Sequence, residues 1–139
     1  MKARIRLPEM PKTALCAGFS EAKLRALSAV LSAQEIAPRP VSPRELGQTV
    51  GALAGLDAPA AIPEGFAPRR ADTECLVLCG LDPAALDRLL AALREAGLSV
   101  PYKAVLTPVS RGWRLDDLIG ELAAEHEAVA KQISAQRGR

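Results

Sequence analysis

The sequence predicts an α/β fold built from two tandem βαβα repeats related by pseudo-symmetry, with mostly parallel strand pairs and helices packed on them. An apolar stretch of strand length, followed by an amphipathic helical pattern, occurs once in each half of the chain. Residues 13–36 align without a gap with residues 75–98, at a constant offset of 62 positions. Only six of the 24 aligned positions are identical, but strand end, helix cap and apolar stripe coincide, which favours duplication over chance.

The first half is predicted to span residues 1–54. Its strand is the apolar run 14–19, and Ser20 follows as a candidate N-cap of the first helix. After a short extended stretch, the sequence Ser-Pro-Arg-Glu at 42–45 has the form of a capping box, which predicts that a second helix begins there. The apolar stripe of this second helix consists of Leu46, Val50 and Leu53.

The second half is predicted to span residues 75–139 and to repeat this order. Its strand is the run 75–81, and Asp82 is the candidate N-cap of the helix that follows. Pro83 occupies the first helical position, where a missing N–H has no cost. Gly97 suits the left-handed position just after the end of this helix.

The final helix of the second half is displaced relative to its counterpart. Its apolar stripe begins with Leu115, Ile119 and Leu122, each 69 positions after the matching residue of the first half. Because the preceding strand and helix align at 62 positions, the second half is predicted to contain seven inserted residues within 103–113.

The segment 55–74 between the halves is predicted to be an extended linker, because it contains three prolines and no sustained periodicity. Ile62 and Phe66 are its candidate anchors to the body. Each strand–helix–strand unit is expected to form a parallel pair by a right-handed crossover. The two pairs are compatible with one four-stranded sheet and with two facing lobes. The alternating run 3–7 predicts an additional edge strand.

Composition restricts the class of protein. The chain has 139 residues, 49% of them hydrophobic, which suits one compact domain. Its net charge of +2 is too small to indicate binding to nucleic acid or to an anionic membrane surface. No apolar run approaches the roughly 20 residues of a membrane span. The three cysteines form no CxxC pair and are expected to be reduced, which predicts a cytoplasmic protein. No cofactor is predicted.

Motifs in the second half carry a resemblance to a known family. They are a strand ending in Cys79-Gly80, the helix DPAALDRLLAALREAGL, the run VPYKAVLTP, a lone Trp113, and a helix containing Glu121-Leu122 and Glu125-His126. In these motifs the chain resembles the bacterial family of uncharacterised proteins known as domain of unknown function 3783. The resemblance extends into the N-terminal half and spans nearly the full chain. It implies no activity, because none is established for the family.

The loop that follows the last predicted strand is the candidate ligand site. It leads into a helix N-terminus, where open α/β sheets commonly bind anions. Arg111 and Arg114 supply positive charge, and Trp113 offers a flat wall. In the structural alternative the loop hydroxyls satisfy its backbone, Trp113 closes the core, and Asp116 and Asp117 neutralise the helix dipole. The residues of the hypothetical site are Lys103, Thr107, Ser110, Arg111, Trp113, Arg114 and His126.

An enzymatic alternative uses Cys79 or Lys103 together with His126. Against it, the apolar surroundings of Cys79 favour a packing role for the thiol, and Lys103 suits an exposed position. His126 is expected at the core margin, where it would donate to an oxygen acceptor. Because Glu125 and His126 diverge by about 100° around the helix, no metal site is predicted.

Three functions follow, in order of preference. The first is a non-catalytic module that binds a small anion or a protein partner near the 107–114 loop, and the second is a small enzyme. The third is a nucleic-acid binder that uses Arg111, Arg114 and the basic tail, which the near-neutral charge disfavours. Gly47 and Gly51 lie four positions apart and predict close helix packing, either within the fold or across a homodimer contact.

Overall fold

One sheet joins the two halves of the chain. The computed structural model describes residues 7–137, with side chains as far as residue 130. Its strands are β1 (Thr13–Ala17), β2 (Ala37–Val41), β3 (Cys75–Cys79) and β4 (Tyr102–Val105). Within the described residues the sheet has the order β2-β1-β3-β4. The pairs β1–β2 and β3–β4 are parallel, as predicted, whereas β1 and β3 are antiparallel. Of the two arrangements compatible with the sequence, one four-stranded sheet or two facing lobes, the structure has the single sheet.

Helices cover both faces of this sheet and make the fold mixed α/β. The helices are α1 (Glu21–Ala33), α2 (Val50–Leu53), α3 (Pro83–Glu95) and α4 (Leu115–Arg137), with 3-10 turns at Arg44–Gly47 and Ser110–Gly112. Leu31 of α1 and Leu89 of α3 belong to the core on one face. Val50 of α2 and Ile119 of α4 belong to the core on the opposite face. All five residues of β3 are buried, because helices cover it on both sides.

Local capping signals in the sequence are confirmed. The Ser20 hydroxyl accepts a hydrogen bond from the Lys23 N–H (3.2 Å), and Asp82 accepts one from the Ala85 N–H (2.7 Å). At the end of α3, Gly97 adopts a φ of 70°, and the Leu98 N–H donates to the Leu93 carbonyl (2.9 Å). Both α1 and α3 consequently begin and end close to the predicted residues.

The second helix of the first half was predicted wrongly. The capping box closes as expected, with the Ser42 N–H donating to Glu45 (2.9 Å), but the turn it starts ends at Gly47. Thr49 then forms an antiparallel bridge with Arg114, and the Val50 N–H donates to the Trp113 carbonyl (2.9 Å). This long-range bridge requires extended backbone, so the chain leaves the helix for two residues before α2.

The same bridge revises the predicted insertion. Each half runs from a 3-10 turn through a bridge residue into a helix, and the two bridge residues, Thr49 and Arg114, lie 65 positions apart. The offset of 69 that the apolar stripes indicated is therefore wrong. Relative to the 62 positions that separate the starts of β1 and β3, at Thr13 and Cys75, three residues are extra rather than seven.

The segment 55–74 contains neither helix nor strand, yet it packs against the body. A methyl group placed on Gly47 would lie 2.9 Å from the side chains of both Ile62 and Phe66. A methyl group placed on Gly51 would lie closer still to the side chains of Asp57 and Arg111. The two glycines therefore allow close packing within this chain, which is one of the two roles predicted for them.

Two further expectations concern the ends of the chain and the membrane. The predicted edge strand 3–7 falls outside the described residues except for Leu7. Over residues 7–137, no helix has both the length and the apolar character that a membrane crossing needs.

Glu35 provides a test of how α1 ends. It adopts a φ of 61° at the position where Gly97 stands in the second half, and a side chain costs free energy in that conformation. We expect Glu35→Gly to raise the free energy of unfolding by about 1 kcal/mol, since glycine removes this strain at a smaller entropic cost. Urea denaturation measures the change. Glu35→Ala, which removes the carboxylate but keeps a Cβ, should leave stability nearly unchanged, and an equal gain in both variants would contradict the explanation.

Glu45 should make stability depend on acid pH. The Arg39 guanidinium donates to both carboxylate oxygens (3.2 and 2.7 Å) and, with Ser42, lowers the pKa of Glu45 to about 2. A depressed pKa in the folded state stabilises the protein above the ordinary pKa, and this contribution is lost as pH falls from about 4.5 towards about 2. The urea midpoint, measured across this window, should decline less in Glu45→Gln than in the wild type. Parallel curves would refute the assignment.

Candidate functional site

The 107–114 loop follows β4 at the edge of the sheet. Leu106 continues the strand direction, because its N–H donates to the Leu78 carbonyl of β3 (2.9 Å), and it is buried. The chain then makes the 3-10 turn at 110–112 and enters α4 at Leu115. The loop therefore occupies the predicted position, between a strand's carboxyl end and a helix N-terminus.

The two hydroxyl groups of the loop bind each other and the loop backbone. The Ser110 hydroxyl accepts from the Thr107 N–H (3.0 Å), and the Thr107 hydroxyl accepts from the Ser110 N–H (3.0 Å). A further hydrogen bond joins the two hydroxyl oxygens (3.1 Å). This reciprocal arrangement closes the turn in the way a capping box closes a helix, and it agrees with the structural alternative for these residues.

Arg111 is engaged by a carboxylate that the sequence analysis did not identify. Its Nε and Nη2 atoms donate to the two carboxylate oxygens of Asp57 (2.8 and 2.6 Å), a bidentate pair between the loop and the linker. The hydrogen bonds from Arg111 hold the pKa of Asp57 below its ordinary value. No sequence pattern indicates this pair, because 54 positions separate its members.

Arg114 also serves the linker. Its guanidinium donates to the Gly47 carbonyl and, at 3.5 Å, to the Ala61 carbonyl. Nearby, the Gln48 side-chain amide bonds Ala60 twice, donating to its carbonyl (3.0 Å) and accepting from its N–H (2.8 Å). Both predicted anion-binding arginines therefore have partners within the protein.

The sequence pattern did not reveal the hydrogen-bond partners of Asp116. Its carboxylate accepts from the backbone N–H groups of Arg69 (3.1 Å) and Arg70 (3.0 Å), and the residue is only 6% exposed. The helical spacing could have indicated that Asp116 is buried, because it lies three positions before Ile119 and seven before Ala123, and both of these residues are buried. Asp116 thus fastens the end of the linker to the start of α4.

Trp113 does not have the core placement that the structural alternative expected for it. It is 38% exposed, so it does not close the core, and its indole borders an open cleft of about 460 Å³. Gly112, Arg114, Asp117 and Glu121 line the rest of this cleft, which we call the Trp113 cleft. Val109, four positions earlier in the loop, is 72% exposed. The exposed face of the loop is therefore apolar and flanked by two carboxylates.

Lys103 and His126 lie apart from the loop. Lys103 is exposed on β4, and its ammonium group donates to the Val100 carbonyl (2.8 Å). His126 is exposed on α4, where its ring meets the Tyr102 ring edge to face at a centroid distance of 5.7 Å. The expectation that His126 lies at the core margin and donates to an oxygen is therefore wrong. Among the described residues, no hydrogen bond or ion pair joins Lys103 or His126 to the loop.

Cys79 is not brought to His126. The thiol is completely buried and lies 3.8 Å from the Val77 carbonyl oxygen. Burial raises the pKa of the Cys79 thiol to about 12, which opposes the thiolate that nucleophilic catalysis needs. Cys16 and Cys75 are buried as well, with pKa values raised by burial to about 11 and about 12. Over the part of the chain that the structure describes, no three His, Cys, Asp or Glu side chains group so as to hold a metal ion.

The fold and loop define a small mixed α/β domain whose loop polar groups are largely occupied by its own linker. Residues 74–129 match the family model described as Domain of unknown function (DUF3783), and the match lies in the second half of the chain. The resemblance inferred from the motifs around Cys79, Trp113 and His126 is thereby confirmed. Neither the curated proteins nor the solved structures contained a match to the chain.

Replacing Asp116 should release the linker from α4. We expect Asp116→Ala to lower the free energy of unfolding by about 2 kcal/mol, because two buried N–H groups lose a charged acceptor. Amide hydrogen exchange should accelerate at Arg69 and Arg70. The matched control is Asp117→Ala, which removes an exposed carboxylate from the same helical turn. If both variants lose equal stability, the helix dipole rather than the linker contact explains the effect.

Proposed function

We propose that this chain is a non-catalytic module of the bacterial cytoplasm that binds a protein partner through the Trp113 cleft and the adjoining Val109. One observation carries the proposal: Trp113 and Val109 are exposed, while the polar groups of the same loop are committed to internal partners. Tryptophan is enriched among the residues that dominate the energy of protein interfaces. An exposed indole and an exposed valine in the same loop therefore favour a protein surface as the occupant.

Charge indicates the chemistry of that partner. Asp117 and Glu121 are exposed carboxylates of α4 that line the Trp113 cleft. Arg114 also lines it, but its guanidinium is engaged by the Gly47 and Ala61 carbonyls. A lysine or arginine side chain placed there would contact two carboxylates and the face of the indole ring. We infer that the partner presents a basic residue flanked by apolar ones.

The small-anion alternative at the same loop is less well supported. An anion that used Arg111 would have to displace Asp57 from a bidentate pair. It would also approach a helix whose first turn already contains Asp116 and Asp117.

The cytoplasmic location is supported by three cysteines that are free and buried, as expected in a reducing compartment.

We also infer that the two halves arose as tandem βαβα repeats. The bounds of β1 and α1 recur in β3 and α3 at a distance of 62 positions. Leu15 pairs with Val77, its equivalent at that distance, in the centre of the antiparallel β1–β3 ladder. Gly18 and Gly80, equivalent by the same count, have φ values of 79° and 78°. A local two-fold axis through the Leu15–Val77 pair explains these coincidences together.

Trp113 fluorescence tests the proposed binding. The probes are a short amidated peptide with one lysine between leucines, its glutamate counterpart, and inorganic phosphate. We expect a saturable change with the lysine peptide alone, because only that peptide complements the two carboxylates. The double variant Asp117→Asn, Glu121→Gln should weaken its binding at least tenfold.

Glu125→Gln, one turn further along α4, is the matched control and should bind the lysine peptide normally. A saturable response to phosphate that disappears in Arg111→Ala would instead establish the anion site and overturn the proposal. An unchanged response in the double variant would overturn the basic partner.

A further inference from the structure

The two outer edges of the sheet differ in their free hydrogen-bonding groups. In β2 the Ala37 N–H donates to Lys12 (2.9 Å), so alternate residues face β1 and Pro38 and Pro40 are the outward positions. Proline has no N–H, and the Pro40 carbonyl is bonded by the Arg39 side chain (2.6 Å). The β2 edge is therefore closed to a further strand.

The β4 edge retains its donors and acceptors. The Leu106 N–H faces β3, so Ala104 faces β3 as well, and the N–H and C=O groups of Lys103 and Val105 point outward. Within residues 7–137 no strand pairs with this side of β4. Val105 is 46% exposed at the same edge. Among the described residues, the outward backbone groups of Lys103 and Val105 therefore have no strand partner.

A groove lies beside this edge on the face covered by α3. It has a volume of about 520 Å³, and Leu90, Leu93, Leu98 and Val100 form most of its apolar lining, with Arg94 and Lys103 as its two cations. Lys103 and Val105 are in register with Leu76 and Leu78, which pack on the α3 face. A strand added to β4 would direct alternate side chains to this same face.

We propose that the β4 edge binds an extended peptide that adds a fifth strand to the sheet and that carries an apolar and an acidic residue two positions apart, so that both side chains point to the α3 face. Its backbone pairs with Lys103 and Val105, its apolar side chain enters the groove, and its carboxylate reaches Arg94 and Lys103. This surface shares no residue with the Trp113 cleft, so it stands or falls separately from the function proposed there.

Charge selects this occupant over two others. An edge lysine commonly prevents strand pairing, because a second copy of the same edge would bring like charges together. The chain's own residues 1–6 include Lys2, Arg4 and Arg6, which carry the same charge as the groove. Both arguments disfavour a basic occupant and favour an acidic one.

Nuclear magnetic resonance of the full-length ¹⁵N-labelled protein tests the proposal. The probes are two capped five-residue peptides with alanine at positions 1, 3 and 5; one has valine and glutamate at positions 2 and 4, and the other has valine and lysine there. We expect the glutamate peptide alone to shift the Lys103 and Val105 amide signals and to slow their hydrogen exchange at least tenfold. Absence of these changes, or equal binding of the lysine peptide, would overturn the proposal.

Variants separate the groove from general charge. The double variant Arg94→Glu, Lys103→Glu should weaken the glutamate peptide at least tenfold, whereas Arg25→Glu, an exposed charge reversal on α1, should not. An N-methylated glutamate peptide, which lacks the paired N–H groups but keeps the charge, should fail to bind. Binding of the peptide only after deletion of residues 1–6 would show that the chain's own N-terminus fills the edge, and would overturn the proposal.

Discussion

The antiparallel pairing of β1 with β3 is the contact on which the rest of the structure depends. These two strands form the centre of the sheet, and nine of their ten residues are buried: all five of β3 and four of β1. A central strand buried on both faces requires a helix layer on each side. One layer comes from α1 and α3, and the other from α2, α4 and the 3-10 turns.

The same pairing explains why the linker is ordered and why the loop has few free polar groups. Val41 and Cys75 both pair with Ala17, so β3 begins at the end of the sheet where β2 finishes, and segment 55–74 leads the chain from α2 to that end. Backbone groups along that path need partners, since an unsatisfied buried N–H costs free energy. Gln48, Arg114 and Asp116 supply them, and Arg111 adds an ion pair to Asp57. The side chains expected to hold a ligand are therefore used to hold the fold.

The sequence correctly predicted features that depend on neighbouring residues, such as helix caps. It did not predict features that depend on contacts between residues far apart in the chain. Ser20, Asp82 and Gly97 act within a helical turn, so their positions could be predicted from local pattern. The break between Gly47 and α2 depends on a bridge from Thr49 to Arg114, and no local signal reports it. The Arg111–Asp57 pair likewise joins residues 54 positions apart. The sequence identified Arg111 by its type and its place in the loop, but its partner Asp57 became visible only in the fold.

The two halves of the chain have similar topology but contribute differently to the structure. Both proposed surfaces, the β4 edge with its groove and the Trp113 cleft, consist of residues inside the 74–129 segment that matches the family model. That segment alone would leave one edge of β3 unpaired, although every residue of β3 is buried in the whole chain. The N-terminal half covers this edge with β1, and its own outer strand is closed by Pro38 and Pro40. We therefore interpret the first half as the part that completes the core, and the second half as the part that remains open to partners.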